Sequence, residues 1–447
     1  MLLLNIALQK DLFLRQLDIR TAFLNSPIDH DIWIALPPNL DLEMLRSIQT
    51  SGPGGGAMSK QSVAGFTLPR RKAYCKIHNG LYGLRQSAAL WFRTMDVKLL
   101  AFDPRLKRST CDVCLYYLWT SDVIFLISVH VDDFAIACNS EAYYGKFLTY
   151  LSKQFEVKDL GDLSFILNMK VTRTPDSITI SQERMITDLA LQYRMENCKP
   201  RDSPFPAGSK YDSVTFKSDT QDVWYPIRQL IGSLLWIARK SRPDIYWYVI
   251  YLSQFCACGG EEHWNLLKRV LQYLITTKHF VLKLTKAKDG NLDVHSYCDS
   301  DWASNKLDRR SYSGLTIFMS GNLIIWGSQK QTSVALSSSE AEYISLSEAG
   351  KSLMHLISLT REIFPIKIPI TVYCDNQGAI FISKNAISNK KSKHIDIRYH
   401  YVRELIQEKK LLDIVYIPTE DNLADQLTKS VTPEVLRKFV DLAMKGL

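Results

Sequence analysis

Apolar and polar positions along the chain fall into two kinds of pattern. Up to residue 181 the apolar residues come mostly in short runs of Val, Ile, Leu and Phe, which mark strands. Residues 123–138, VIFLISVHVDDFAIAC, are two such runs on either side of Asp132 and Asp133, so a hairpin is predicted with both acids at its bend. Residues 11–25, DLFLRQLDIRTAFLN, predict a strand ending at Asp18 and then a helical TAFLN. In KIHNGLYGLRQSAALWF, Gly80 and Gly83 bracket a turn before a helix that starts near Ser87. An amphipathic helix is predicted over 141–155, a turn over 157–163, and a hairpin of 165–172 with 177–181 around Pro175-Asp176. A helix follows over 181–195, with Ser181 as its N-cap.

Helical spacing then takes over. Three helices are predicted near 226–240, 243–257 and 261–277, after a polar, Pro-bearing linker over 200–220. From about residue 290 short strands alternate with helices, which suggests a separate α/β domain. Two of these strands end alike, in HSYCDSDW and TVYCDNQG. If they are parallel neighbours, Asp299 and Asp375 emerge together at the carboxyl edge of the sheet. Between them, Ser337 and Glu340 fit a capping box, while Glu342 shares one helical stripe with Leu346, Ala349, Leu353 and Leu356. The last strand, LLDIVYIP, leads into TEDNLADQLTK, where Asp425 enters a helix.

Composition narrows the picture. The 447 residues suit two to three domains, and 46% hydrophobic with 23% charged residues leaves ample material for buried cores. A formal net charge of +9 is compatible with a nucleic-acid partner without establishing one. Nine cysteines at irregular spacing argue against a disulfide framework and for a reducing compartment. Cys111 and Cys114 form a lone CxxC, better explained as small buried residues than as a metal site. The apolar start MLLLNIALQKD lacks the basic region and cleavage site of a signal peptide, and no uncharged stretch is long enough for a bilayer, so no membrane partner is expected. Residues 50–65 are a Gly/Ser-rich surface insertion, and 69–72 and 103–108 are basic loops.

The acids carry the candidate chemistry. Adjacent carboxylates between buried strands repel each other, and a divalent cation is the obvious relief. On its own, an Asp-Asp bend is more often a plain turn; Asp18 at a neighbouring strand end supplies a second wall. Asp299, Glu342, Asp375 and Asp425 come from four separate elements, the kind of cluster two divalent metals require for cutting a phosphodiester. Residues 389–403, NKKSKHIDIRYHYVR, interleave basic and aromatic residues, with Lys390, Lys391, Lys393, His394 and Arg398 as candidate nucleic-acid contacts. A solvated basic helix face explains that stretch equally well.

Taken in order, QLDIRTAFLN, NGLYGLRQSAALWF, VHVDDFAIA, FEVKDLGDLSFIL, IGSLLWIARKSRPDI, EEHWNLLKRVLQYL, HSYCDSDWAS, RRSYSGLTIFMSG, QTSVALSSSEAEYISLSEA, VYCDNQGAI, KSKHIDIRYHYVRE and IPTEDNLADQLTK resemble the reverse transcriptase–ribonuclease H portion of a copia-type retrotransposon polyprotein over nearly the whole chain. The resemblance implies a multidomain α/β and α+β protein. A right-hand polymerase palm with partial fingers would occupy 1–180, thumb and connection helices 181–285, and a ribonuclease H-like α/β domain 286–447. It implies RNA-directed DNA polymerase and hybrid-specific ribonuclease H activities. Asp18, Asp132 and Asp133 would hold two Mg²⁺ in the palm, and Asp299, Glu342, Asp375 and Asp425 two more, with Mn²⁺ as the alternative ion. Phe23 would gate against a ribose 2′-hydroxyl, and Gly83, Leu84 and Gln86 would lie under the nucleotide. The implied partners are an RNA template, an RNA–DNA hybrid, a DNA primer and dNTPs; the implied location is a cytoplasmic particle or the nucleus. Two departures stand out: His130 replaces the family's Tyr before Val-Asp-Asp, and only 17 residues precede Asp18, which predicts an N-terminally truncated copy with the fingers largely missing. A remnant with ribonuclease H activity alone, or a non-catalytic nucleic-acid-binding relic, is the alternative.

Overall fold

Strand alternation sets the architecture around Asp18. In FLRQLDI, Leu14, Gln16, Leu17 and Ile19 are buried while Arg15 and Asp18 are half-exposed, so this strand lies inside a sheet with its charges at the rim. The computed structural model describes residues 1–35, 74–206, 225–288, 290–305, 307–385, 398 and 400–445. The Gly/Ser-rich and basic stretches of 50–72, and Lys390, Lys391, Lys393 and His394, lie outside the described residues. The chain divides into two compact units: Met1–Asp18, Arg105–Phe147 and Asp159–Leu447 form the first, Ile19–Pro104 with Leu148–Lys158 the second.

The first unit opens with α1 (Leu2–Gln9) and β1 (Phe13–Ile19). A six-stranded sheet combines β1 with β4 (Lys107–Arg108), β5 (Leu115–Trp119), β6 (Ile124–His130), β7 (Asp133–Cys138) and β8 (Val157–Asp162), in the order β4-β5-β6-β7-β1-β8. The helix expected over 141–155 is α3 (Glu141–Ser152), between β7 and β8 in the chain. The 157–163 segment, expected as a turn, is this sheet's edge strand β8. It is mostly exposed and polar, so it carries no apolar alternation to announce it. The strand expected over 165–172 is split by Leu167 and Asn168, both at positive φ, into β9 (Phe165–Ile166) and β10 (Met169–Arg173). With β11 (Ser177–Ser181) and β12 (Leu282–Thr285) these form a second sheet, ordered β12-β11-β10-β9. Ser181 therefore ends a strand and is not a helix cap. The helix α4 (Glu183–Gln192) has Gln182 at its N-cap, although the Ser181 hydroxyl still accepts a bond from the Glu183 amide at 3.2 Å.

Helices α5 (Ile227–Lys240), α6 (Tyr246–Ser253) and α7 (Glu261–Thr276) follow, close to their expected ranges. Pro243 starts a short 3-10 turn ahead of α6. A buried polar knot ties them together. Arg242 donates to both Asp244 carboxylate oxygens and to the Thr277 carbonyl and hydroxyl, and the Tyr273 hydroxyl donates to Asp244 at 2.7 Å. All three nitrogens of that guanidinium donate to an acceptor, and Asp244 supplies the counter-charge, which is what makes a buried charge tolerable.

The third sheet holds β13 (Val294–Ser300), β14 (Tyr312–Met319), β15 (Asn322–Lys330), β16 (Ile370–Cys374) and β17 (Leu412–Tyr416), ordered β15-β14-β13-β16-β17. The β13–β14 and β14–β15 pairs are antiparallel; β13–β16 and β16–β17 are parallel. The 26-residue α8 (Ser338–Ile363) packs on β13 and β14, and α9 (Gln377–Lys384) follows β16. One continuous apolar core joins this sheet to the helices, with Trp326 Nε1 donating to the Ala238 carbonyl at 2.8 Å. Among the described residues no helix is long and apolar enough to cross a membrane.

In the second unit, β2 (Pro27–Ala35) and β3 (Tyr74–Asn79) pair antiparallel beside a 3-10 turn at Ala22–Asn25. Helix α2 (Ser87–Leu100) meets the 148–158 segment through an edge-to-face Trp91–Phe155 contact at 5.1 Å.

Candidate active site

Strand register brings the first group of acids together. Asp18 on β1 is the pairing partner of Asp133 on β7, and Asp133 faces His130 across the hairpin. Val131 and Asp132 form the two-residue bend, with Val131 at φ 60°, a conformation a β-branched side chain resists. Burial pushes the Asp133 carboxyl above its ordinary range. A 3.4 Å bond donated by Gln16 opposes the shift, and the charges of Asp132 and Asp18 add to it. The expected acidic hairpin and its facing strand end are thus present. Phe23, Gly83 and Gln86 lie in the second unit. Phe23 sits in the 3-10 turn with its ring 4.6 Å from that of Tyr82, Gly83 has φ +99°, and Gln86 is the N-cap residue of α2. At that φ a Cβ would strain the backbone, so glycine is required there.

The second group is built by parallel pairing. Tyr297 and Tyr373 are register partners on β13 and β16 and stack at 5.0 Å, so Asp299 and Asp375 follow them side by side at the carboxyl ends of the two strands. Glu342 enters from the first turns of α8. Its Oε1 accepts from the Ser300 amide at 3.2 Å, while its Oε2 is buried without a hydrogen-bond partner. Leu346, Ala349, Leu353 and Leu356 of the same stripe are all buried, which fixes the rotation of the helix. The capping box is half as expected: Ser337 accepts from the Glu340 amide, but the Glu340 carboxylate reaches back to the Leu336 amide. Asp425 opens a 3-10 turn after β17 and pairs with Lys429 at 2.5 Å.

Electrostatics set this quartet apart. Asp299 is only 3% exposed. Burial pushes its carboxyl up to about 7, Asp425 and Asp375 add to the shift, and a 2.6 Å bond from the Thr428 hydroxyl opposes it. Burial, then the charge of Asp299, holds Glu342 well above the usual carboxylate range. Asp425 is raised too, by burial against the pull of Lys429. The Asp375 carboxylate accepts from the Thr419 hydroxyl at 2.7 Å.

Three participants escaped the sequence analysis. Asp301, also buried, has its carboxyl pushed up to about 7 by burial, against the bond donated by the Tyr312 amide. Thr428 holds Asp299 in place, and Lys429 is a cation shared by Asp425, Asp299 and Asp375. Burial alone would lower the Lys429 amine; the acids outweigh it and the net shift is upward. The signals were present in the DSD tripeptide and in the four-residue step from Asp425 to Lys429. Arg398 is half-buried, with Nη2 4.0 Å from Glu348 and Nη1 buried without a partner.

The donor chemistry suits a hard divalent cation. Both groups offer carboxylate oxygens, and Glu342 Oε2 is buried with nothing to bind. Among the described residues, one set of three potential ligands has all its ligating atoms within 4.8 Å of one another: Glu342, Cys374 and Asp375.

A family model for reverse transcriptase (RNA-dependent DNA polymerase) matches residues 59–207. The retrovirus-related Pol polyprotein from transposon RE1 of Arabidopsis thaliana is 32% identical over 440 residues, covering 98% of this chain. The corresponding polyprotein from transposon TNT 1-94 of Nicotiana tabacum is 32% identical over 443 residues, covering 96%. The chain belongs to the copia-type retrovirus-related Pol polyproteins of transposons. This Pol chain spans 28% and 30% of the length of those two relatives. A solved foamy viral protease-reverse transcriptase in complex with an RNA/DNA hybrid aligns with 94% of it and 46% of that chain, at 14% identity and a TM-score of 0.48.

Proposed function

We propose that the chain is an RNA-directed DNA polymerase joined to a ribonuclease H that degrades RNA in RNA–DNA hybrids. In this proposal residues 1–180 act as palm with partial fingers, 181–285 as thumb and connection, and 286–447 as the nuclease. The observation that carries it is the pair of acid groups: three carboxylates at one strand-pair end, and four at the carboxyl edge of the parallel strands, Asp299 and Glu342 buried and Asp375 and Asp425 half-buried, with Lys429 against them. Neither group has enough counter-charge of its own, and both accept the ions that phosphoryl transfer needs.

Asp18, Asp132 and Asp133 would hold Mg²⁺, or Mn²⁺, in the polymerase site; Asp299, Glu342, Asp375 and Asp425 would hold it in the nuclease site. When bound, such ions activate the attacking hydroxyl or water and neutralise charge on the leaving oxygen. The protein's own contribution is placement. Gln16 orients Asp133, and Thr428, the Ser300 amide and Thr419 orient Asp299, Glu342 and Asp375. Phe23 would exclude a ribose 2′-hydroxyl, while Gly83 and Gln86 support the incoming dNTP. Arg398, with Lys390, Lys391, Lys393 and His394, would contact hybrid phosphates.

Two assays test this. Extension of a DNA primer on an RNA template with Mg²⁺ should be abolished by Asp132→Ala, and cleavage of a labelled hybrid by Asp375→Asn. Extension that persists in an Asp132→Ala preparation removes the polymerase assignment. Cleavage that persists in Asp375→Asn protein removes the nuclease one. A nuclease-only chain is the second reading, favoured by the deeper burial of the second acid group; it predicts cleavage without extension.

A further inference from the structure

Two cysteines stand in the same relation to two of the acids: Cys298 precedes Asp299, and Cys374 precedes Asp375. The strands that carry them are parallel and in register at Tyr297 and Tyr373, so the next residues along, Cys298 and Cys374, fall side by side on the opposite face from the stacked tyrosines. Both cysteines are fully buried, and their thiols lie within hydrogen-bonding reach of each other. Glu342 comes to that buried face from α8, and Cys374 Sγ lies with the Glu342 and Asp375 carboxylates inside the 4.8 Å cluster. A second, independent observation marks the same spot. Glu342 is only 5% exposed, and its Oε2 is buried with no donor to satisfy it. An orphaned carboxylate oxygen in such a place calls for a ligand.

The hard ions of the proposed nuclease chemistry bind oxygen and leave sulfur alone, so Cys374 has no part in that chemistry. Thiolate with carboxylate is the donor set of a softer ion. We infer that Cys374, Glu342 and Asp375 form a site for a thiophilic divalent cation of the Zn²⁺ or Cd²⁺ class, with Cys298 adjoining it. The site shares two carboxylates with the hard-cation site, so the two ions exclude each other. With a Zn–S bond of about 2.3 Å and a Zn–O bond of about 2.1 Å, tetrahedral angles set the ligating atoms about 3.6 Å apart, a spacing compatible with a cluster whose atoms all lie within 4.8 Å of one another. Coordination releases the Cys374 thiol proton to solvent and involves no change of oxidation state. The consequence for activity, inhibition by traces of thiophilic metal, rests on the nuclease proposal; the binding itself does not.

The test uses the full chain stripped with EDTA and titrated with Cd²⁺, following the ultraviolet thiolate-to-metal charge-transfer band. Wild type should show a saturable component that Cys374→Ser removes, with far-ultraviolet circular dichroism unchanged. Glu342→Gln, which keeps both cysteines and relieves buried charge, should weaken that component about tenfold or more. Millimolar Mg²⁺ should shift its midpoint upward, while Cys258→Ser, at an exposed thiol, should leave it unchanged. A titration that neither Cys374→Ser nor Glu342→Gln alters overturns the inference. Cd²⁺ binding as described in a chain that cleaves no hybrid sinks the nuclease proposal alone; hybrid cleavage without the Cd²⁺ component sinks this inference alone.

Discussion

Replacing Asp299 with Asn should make the cation-free protein more stable, although it removes a residue proposed to be essential. Asp299 is buried beside Asp425 and Asp375, and its carboxyl is pushed up to about 7 from an ordinary value near 3.8. A shift of roughly three units, at about 1.4 kcal/mol each, makes the ionised side chain about 4 kcal/mol unfavourable in the fold. The sign follows from proton uptake. Between about pH 4 and pH 7 the folded chain holds a proton that the unfolded chain has lost, so stability falls as pH rises through that window and levels off above it. Asn keeps an acceptor for the Thr428 hydroxyl but buries an amide whose unpaired protons cost about 1 kcal/mol. The net gain at about pH 8 is therefore roughly 3 kcal/mol, and near pH 4, where only the amide cost remains, it turns into a loss of about 1 kcal/mol. Urea unfolding of both proteins in EDTA, followed by tryptophan fluorescence at the two pH values, measures it. Adding Mg²⁺ should stabilise the wild type more than Asp299→Asn. An Asn variant less stable than wild type at the higher pH, or a difference that does not change with pH, would refute the reasoning.

Other outcomes follow from single contacts. Asp244→Asn leaves the buried Arg242 guanidinium without its counter-charge and should lower unfolding stability by about 3–5 kcal/mol in the same urea assay. Val131→Gly relieves a β-branched residue at φ 60° and should raise stability by about 1 kcal/mol, the strain relieved exceeding the entropy glycine adds to the unfolded chain. At Gly314 a Cβ would lie 2.6 Å from the Ala424 carbonyl oxygen and 2.8 Å from Thr428 Cγ2. Gly314→Ala should displace the segment that carries Asp425 and reduce hybrid cleavage about tenfold or more while primer extension continues. Lys429→Met removes the cation shared by three acids; Mg²⁺ binding measured by calorimetry should tighten, because nothing then competes for the carboxylates.

Local pattern was enough to locate most of the chemistry. Apolar runs around Asp132 and Asp133 could only bury themselves as a hairpin, and the three-to-four-residue spacing of Leu346, Ala349, Leu353 and Leu356 fixed the side of α8 from which Glu342 projects. The repeated YCD strand ends placed Asp299 and Asp375 alike before any pairing was known. These features depend on burial along one element, which the order of residues records directly. What sequence left open depends on pairing between distant elements. Strand β8 is polar because it covers a sheet edge, so its own residues do not mark it. Ser181 resembles a cap until β11 claims it as a strand end. The parallel register that sets Cys298 beside Cys374, the 2.6 Å bond from Thr428 to Asp299, and the buried pocket that raises Asp299 and Asp301 exist only once residues far apart in the chain are packed together. Sequence determined which acids stand at the ends of their elements. Tertiary structure decided how deeply they are buried and which neighbours share their charge, because desolvation and Coulomb repulsion depend on distance in space.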